Sequence, residues 1–360
     1  MDIVSNPGGN NMRSPFFLFF RSVFLSLLLL VGMVFPLFAQ ATETQLTATF
    51  AGDVYLGGSL ESIVLKNPAY PFLFIRELCT QSDLFFVNLE GPLSTRGDIY
   101  VEKTFTFRSN PQVVKCLIEG GLNVISLANN HIMDYGPEAL ADTIAVLNEN
   151  GIYHAGAGSD LAQARKPALI EKNMIKVAFL SYNCTYPLEF NAGVNKPGTA
   201  RGIDRYIIED VKNARSLADL VVISFHWSAE LLKERKPYQA YFAKLAIDSG
   251  AHLVIGHHPH VIQGVEVYKH GLIVYSLGNF IFASRSKSVQ DGLILKVQFT
   301  TSGLKTATFY PININNLQVN FQPTPLTGRE ARRVLSELQT LSEPYGALIK
   351  IIDNHGVINF

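Results

Sequence analysis

Leu253-Val254-Ile255-Gly256-His257-His258-Pro259-His260 is a short apolar run that ends in three histidines within four residues. Leu, Val and Ile with no charge among them read as a strand buried on both faces, too short to be a core helix. Histidines gathered at such an exit have little structural use, whereas imidazole is the commonest ligand for zinc, iron, manganese and nickel. His258 and His260 stand two apart with Pro259 holding the turn, so both rings can face one shared pair of cations. The pattern recurs four times. Leu46–Ala51 breaks into Gly52-Asp53, Leu84–Val87 into Asn88-Leu89-Glu90, Val124–Ala128 into Asn129-Asn130-His131, and Leu220–Phe225 into His226. In an open sheet flanked by helices, ligands bind beyond the carboxyl ends of the strands, so exits far apart in sequence converge on one pocket.

From Leu46 to about Phe299, apolar runs alternate with longer amphipathic segments, which predicts βα units and an α/β fold. After the Asn-His motif, Pro137 suits a first helical turn and Glu138 faces the positive end of the dipole. Ala141, Ile144 and Leu147 then recur at helical spacing until Asn150-Gly151. A second helix runs from about Pro237 to Ser249 and closes at Gly250. Beyond Gly292 the chemistry thins: Leu293–Phe299 and Thr306–Ile312 alternate like a hairpin, and Thr327-Gly328-Arg329-Glu330 has the form of a capping box opening a helix through Leu341. Ala347–Phe360 reads as two short strands around Asn354-His355-Gly356, with His355 in the turn. Residues 42–300 thus form the chemistry-bearing domain, and 301–360 a hairpin, helix and strands that complete it.

Thirty basic residues balance thirty acidic ones among 360, so no global field draws the chain to nucleic acid. The first 41 residues differ. Arg13 and Arg21 precede the apolar run Ser22–Ala39, which ends in Ala39-Gln40-Ala41, a small-x-small cleavage pattern. This is either a cleaved signal peptide or a retained membrane anchor. In both cases the rest is exported, to be periplasmic, extracellular or anchored to the outer face of the cytoplasmic membrane. Met12 is a second candidate start. Cys79, Cys116 and Cys184 have no chelating spacing, which excludes a cysteine zinc cluster and leaves buried free thiols as the expectation, with one disulfide in an exported chain as the alternative.

Asp53 follows Gly52 and precedes Gly57-Gly58, a combination that predicts a tight turn and, alone, says little. Glu90 leaves a charge-free run, and a carboxylate there must be solvated, paired or bound to a cation. In Asn129-Asn130-His131 an amide oxygen can ligate a hard cation, the next-door imidazole can donate a proton, and Asp134 can fix its tautomer. His226 ends its run with Glu230 four residues on, placed to orient it. Gly156-Ala157-Gly158 is a further glycine-rich exit, read as a plain turn or a pocket wall. Together these residues support two-metal hydrolysis: two cations about 3.5 to 4 Å apart, bridged by a carboxylate such as Glu90, clamp the attacking and leaving oxygens, while His131 protonates the leaving group.

The segments Ala51-Gly52-Asp53, Val87-Asn88-Leu89-Glu90-Gly91-Pro92-Leu93, Ala128-Asn129-Asn130-His131 with Asp134 and Gly136, Phe225-His226-Trp227 with Glu230, Gly256-His257-His258-Pro259-His260-Val261, and Tyr275-Ser276-Leu277-Gly278-Asn279-Phe280 resemble the CapA family of poly-gamma-glutamate capsule biosynthesis proteins, a branch of the calcineurin-like metallophosphoesterase superfamily. The resemblance implies a four-layer αββα sandwich of two mixed sheets flanked by helices, with the metal centre at one end. It implies two divalent ions (Mn, Fe, Zn or Mg), one held by Asp53, Glu90 and His260, the other by Glu90, Asn130, His226 and His258. His131 would be the proton donor and Asp134 its partner, with His257, Glu230 and Asn279 behind the ligands; His257 is the alternative to His258, which the two-apart spacing favours. Two departures stand out: Tyr55 occupies a position where superfamily enzymes usually place a histidine, leaving the first metal at most three protein ligands, and Ser228 replaces a common glycine. The implied function is a metal-dependent hydrolase of phosphoester-type bonds in envelope-polymer metabolism. Its alternatives are a non-catalytic component that binds a polyanionic polymer beside membrane-bound synthase components, or a metal-dependent amidase that trims the polymer.

Overall fold

Odd and even residues of each central strand enter different cores, and this alternation builds the layers. Leu46, Ala48 and Phe50 lie with Leu84 and Phe86, and with Leu220, Val222, Leu253 and Ile255, in one core between two sheets. Phe85, Val87 and Leu89 face a second core with Leu60, Val64, Leu140 and Leu147 of the helices Gly58–Lys66 and Gly136–Glu149. Val221, Ile223, Phe225 and Val254 face a third with Ile207, Val211, Ala243 and Ile247 of the helices Asp204–Leu217 and Pro237–Ser249. The order is helix, sheet, sheet, helix, the four-layer α/β sandwich that the resemblance implies. Across the middle core Phe86 stacks on Phe179 with ring centroids 5.6 Å apart.

This is a computed structural model, and it describes residues 44–360; the leader at residues 1–41 lies outside the described residues. Thr44–Phe360 is one unit, and no helix among the described residues is long and apolar enough to cross a membrane. In chain order the strands are β1 (Gln45–Tyr55), β2 (Leu84–Leu89), β3 (Val124–Ser126), β4 (Tyr153–Ala155), β5 (Ala157–Gly158), β6 (Ala168–Lys172), β7 (Ile175–Asn183), β8 (Gly198–Thr199), β9 (Leu220–His226), β10 (Leu253–His257), β11 (Val265–Tyr268), β12 (Gly271–Val274), β13 (Asn279–Phe282), β14 (Asp291–Thr300), β15 (Gly303–Asn313), β16 (Thr324–Pro325), β17 (Lys350–Ile352) and β18 (His355–Asn359). The ten-stranded sheet runs β17-β18-β15-β14-β1-β2-β3-β4, with β13 on β1 and β16 on β15; the six-stranded sheet runs β11-β12-β10-β9-β7-β6. β1 to β4 and β13 are parallel, as are β7, β9, β10 and β12, while antiparallel strands fill the flanks. The parallel centres put the ends of β1, β2, β3, β9 and β10 at one pole.

Gly250 closes its helix in the left-handed region at φ 118°, as its sequence position predicts. Three expectations need correction. Asp53 is not in a turn: β1 continues to Tyr55 past an irregularity at Asp53 and Val54. Thr327 caps the helix Gly328–Ser342, but its side chain makes no capping bond; Asn354 Oδ1 accepts from Gly328 N instead, at 2.7 Å, and Glu330 pairs with Arg333 at 2.9 Å. His355 opens β18 and pairs with Ile352, so the turn lies before it. The three cysteines are free; Cys79 and Cys116 are buried, Cys184 half-buried.

Candidate metal centre

Asp53 and Asn88 are register partners on β1 and β2, and Asn88 Nδ2 donates to Asp53 Oδ1 at 2.8 Å. The amide's oxygen accepts from Asn129 Nδ2 at 3.1 Å, while Asn129 Oδ1 accepts from the backbone of His131 and Ile132 at 3.0 and 2.9 Å. Asn129 therefore shapes the turn that presents Asn130 and His131. On the other sheet His226 and His257 are register partners. The chain then folds back through His258 (φ 94°) and His260 (φ 58°), a backbone region that costs non-glycine residues about 1 to 3 kcal/mol and is stored mainly at functional sites. That turn is fastened by His258 N donating to Asp53 Oδ2 at 3.2 Å and Leu231 N to Pro259 O at 2.8 Å.

The exits converge on Glu90. Ligand atoms of Glu90, His226 and His258 lie within 4.8 Å of one another, and so do those of Asp53, Glu90 and His260. Glu90 belongs to both groups, is fully buried, and has no hydrogen-bond partner on either oxygen. Its nearest cationic candidates, His131 Nε2 and His260 Nε2, are each 3.7 Å from Oε1. Burial pushes its carboxyl up to about 8. Burial also raises Asp53, but the imidazoles of His257 and His260 outweigh it and hold the group well below the usual range. Burial lowers His258 to about 3, with the His260 charge adding to it; for His260 the Glu90 and Asp53 carboxylates overcome burial and raise it to about 10.

The second partners of the rings differ: at His226 both nitrogens face an amide, whereas His260 keeps one free for ligation. Asn88 Nδ2 faces His226 Nδ1 at 3.4 Å and Asn130 Oδ1 faces Nε2 at 2.7 Å, which places Asn130 beside the first donor group. Asn279, the parallel partner of Asp53, has its Oδ1 2.8 Å from His260 Nδ1, leaving Nε2 toward Glu90. A hydrogen bond on the far nitrogen fixes tautomer and ring direction in metal-bound histidines. A buried carboxylate without a donor, ringed by imidazoles and a second carboxylate, is a donor set that a divalent cation satisfies, so the residues fit the implied group. His258 stands in a donor group and His257 does not; the latter lies behind Asp53, its Nδ1 3.3 Å from Oδ1.

His131 stands at the edge of this cluster. Its Nδ1 is 2.7 Å from Asp134 Oδ2, so Nε2 points inward. Burial lowers its basicity; Asp134 opposes the shift and Lys103 adds to it. Two placements depart from expectation. Glu230 is exposed and His226 is oriented by Asn88 and Asn130 instead. Ala157 and Gly158 line a separate cavity of about 1050 Å³ with Tyr153, His154 and Leu169, which no candidate ligand lines. Tyr55 stacks on Phe107 at 4.2 Å rather than facing the cluster as a ligand would. In the sequence Asn88 and Asn129 stand in the motif segments with no task of their own, and Lys103 and Phe107 carry no pattern in an irregular loop. The signal for the two amides was available: each is a side chain able to donate and accept, at the end of a buried run.

The sequence model of the family described as "Bacterial capsule synthesis protein PGA_cap" matches residues 47–284. The chain is 30% identical over 313 residues to the capsule biosynthesis protein CapA of Bacillus anthracis, covering 84% of this chain and 75% of that one. It is 29% identical over 277 residues to the PGA biosynthesis protein CapA of Bacillus subtilis (strain 168), covering 76% and 73%. Among solved structures a 5'-nucleotidase precursor from Thermus thermophilus aligns at 13% identity and TM-score 0.44, over 82% of this chain and 58% of that one. On the family match and the Bacillus anthracis relative, the chain belongs to the bacterial capsule synthesis (PGA_cap) family.

Proposed function

We propose that the protein is an exported hydrolase of phosphoester-type bonds in capsule or related envelope-polymer biosynthesis, dependent on two divalent cations. The observation that carries this reading is Glu90, whose two unpartnered, fully buried oxygens sit where two donor groups meet. Asp53, Glu90 and His260 would hold one cation, and Glu90, Asn130, His226 and His258 the other. Bound there, divalent cations supply Lewis acidity and neutralise charge on a phosphoryl group. The chain's own residues supply the proton: His131 in its protonated form carries it on Nε2, Asp134 accepts from Nδ1, and the proton passes to the leaving oxygen as a water oxygen bonds to phosphorus and the ester P–O bond breaks. Export is supported by the apolar run Ser22–Ala39 behind two arginines, and an envelope-polymer setting by the family.

The test is elemental analysis of the chain from Gln40 onward, paired with assays on an aryl phosphate monoester and diester, for the wild type and Glu90→Gln. About two cations per chain with turnover, both lost in the variant, is the expected result. Retained cations without turnover on either ester, with manganese supplied, would replace the hydrolase by a component that clamps an anionic polymer.

A further inference from the structure

Between β2 and β3 the chain forms neither helix nor extended ladder from Gly91 to Asn110, only the isolated bridge of Leu93 to Ser109. This strap nevertheless grips the His131–Asp134 pair. Lys103 Nζ is 2.7 Å from Asp134 Oδ1, donates to the Asn130 carbonyl oxygen at 2.5 Å, and lies 3.0 Å from His131 Nδ1. Phe107 N donates to Asp134 Oδ2 at 2.6 Å, and Tyr100 N donates to the Asp134 carbonyl at 2.9 Å. The Phe107 ring stacks on the His131 imidazole, centroids 3.9 Å apart and planes 19° apart, with Tyr55 stacked on Phe107 in turn.

We propose that Lys103 is a positioning residue for the proton donor, a role that rests on reading His131 as the acid in phosphoester hydrolysis. By holding Asp134 Oδ1, the ammonium group leaves Oδ2 for Phe107 N and His131 Nδ1. The imidazole is then fixed about its own plane by the carboxylate and across it by the Phe107 ring, with Nε2 toward Glu90. By also holding the Asn130 carbonyl, Lys103 ties this pair to the residue whose amide oxygen faces His226. Its side chain is 18% exposed and ringed by protein acceptors, so it is not a cation waiting for substrate. The contact to Asp134 Oδ1 is an ion pair, while the bond to the Asn130 carbonyl is a charge-assisted hydrogen bond, the stronger class, which sets geometry as well as energy.

The experiment compares wild type with Lys103→Met, both loaded with zinc, on two phosphomonoesters of different leaving group. 2,4-Dinitrophenolate departs without a proton, whereas an alkoxide needs one, so a displaced acid costs far more on the alkyl ester. The expected loss in kcat is about 30- to 100-fold on the alkyl ester against less than about 5-fold on the dinitrophenyl ester, below the roughly 10²- to 10⁴-fold that general acid catalysis supplies because the acid is displaced and not removed. Unchanged metal content accompanies it. An equal fall on both esters, or lost zinc, overturns the proposal in favour of a role in folding or ligation. A crystal structure of the variant reads the same claim without turnover: the His131 Nδ1 to Asp134 Oδ2 contact is expected to break or the ring to turn, and an unmoved pair overturns it. Wild type that hydrolyses neither ester sinks the hydrolase reading alone. Lys103→Gln, which keeps a donor for the Asn130 carbonyl but no charge, serves with the same expected pattern where the methionine variant does not fold.

Discussion

A carboxylate with neither oxygen partnered and no exposure is costly to bury, by several kcal/mol when it is ionised. Glu90 is such a group, and the protein meets the cost by holding a proton: burial lifts it from 4.5 to about 8. The sign of the linkage follows. A folded value above the unfolded one means that, without cations, the folded chain binds the extra proton between about pH 4.5 and 8. The stability this contributes is complete below 4.5 and is lost as pH rises through about 8. A divalent cation reverses the preference, because ligands must be deprotonated to bind it. At pH 7 cation binding is therefore expected to expel a proton from Glu90 and another from His260, whose ring is raised to about 10 by the neighbouring carboxylates. Titration calorimetry with zinc in two buffers of different ionisation enthalpy measures this, and between about one and two protons released per chain is the expected result. Heats independent of the buffer would mean that the ligands were ionised before the cation arrived, and the reading of Glu90 as a protonated bridge would fall.

At the scale of elements, the site depends on backbones that approach more closely than any side chain allows. A Cβ on Gly52 would stand 1.8 Å from the carbonyl oxygen of Gly278, and one on Gly256 would stand 1.9 Å from that of Tyr275. These crossings seat β1 against β13 and set β10 against the segment after β12, so Asp53 and His257 reach the same pole. Gly52→Ala is expected to cost roughly 3 kcal/mol, at the upper end for forced overpacking, read as a lower urea midpoint with a reduced capacity for metal. Full stability in that variant would show that β1 can shift without disturbing the crossing. The strands bearing ligands were legible in sequence because burial on both faces leaves an uninterrupted apolar run, and its abrupt end marks the exit. Glu90, His226, His258 and His260 stand at or just past such ends, whereas Asp53 interrupts its run two residues before β1 closes. Lys103 and Phe107 were not legible, since a strap without periodicity acquires its partners only through tertiary contact. The capping-box pattern at Thr327 failed for a related reason: Asn354, 26 positions beyond Gly328, supplied the acceptor from across the fold.

For the whole molecule, the segment with no chemistry of its own closes the sandwich. The family match ends at residue 284, yet β14 pairs directly with β1 along Gln45 to Phe50, and β15 and β18 continue the same sheet. The helix Gly328–Ser342 then covers the core between the sheets with Val334, Leu335 and Leu338, all essentially buried, and Arg333 pairs with Asp291 at the start of β14 at 2.8 Å. Removing residues 327–360 would strip Val334, Leu335 and Leu338 of the helix, each contributing about 1.5 to 3 kcal/mol, and with them Ile349 and Ile358 of the same core, β17 and β18 and the cover over β15. A loss of about 6 kcal/mol from the helix side chains alone is comparable with the roughly 5 to 15 kcal/mol by which domains are stable. A chain ending at Leu326 is therefore expected to bind a hydrophobic dye and to unfold without a sharp transition, although every candidate ligand is present. A cooperative melt within about 2 kcal/mol of the full chain would make the C-terminal helix a surface coat, and the pole bearing Asp53 would then owe its rigidity to β1, β2, β13 and β14 alone.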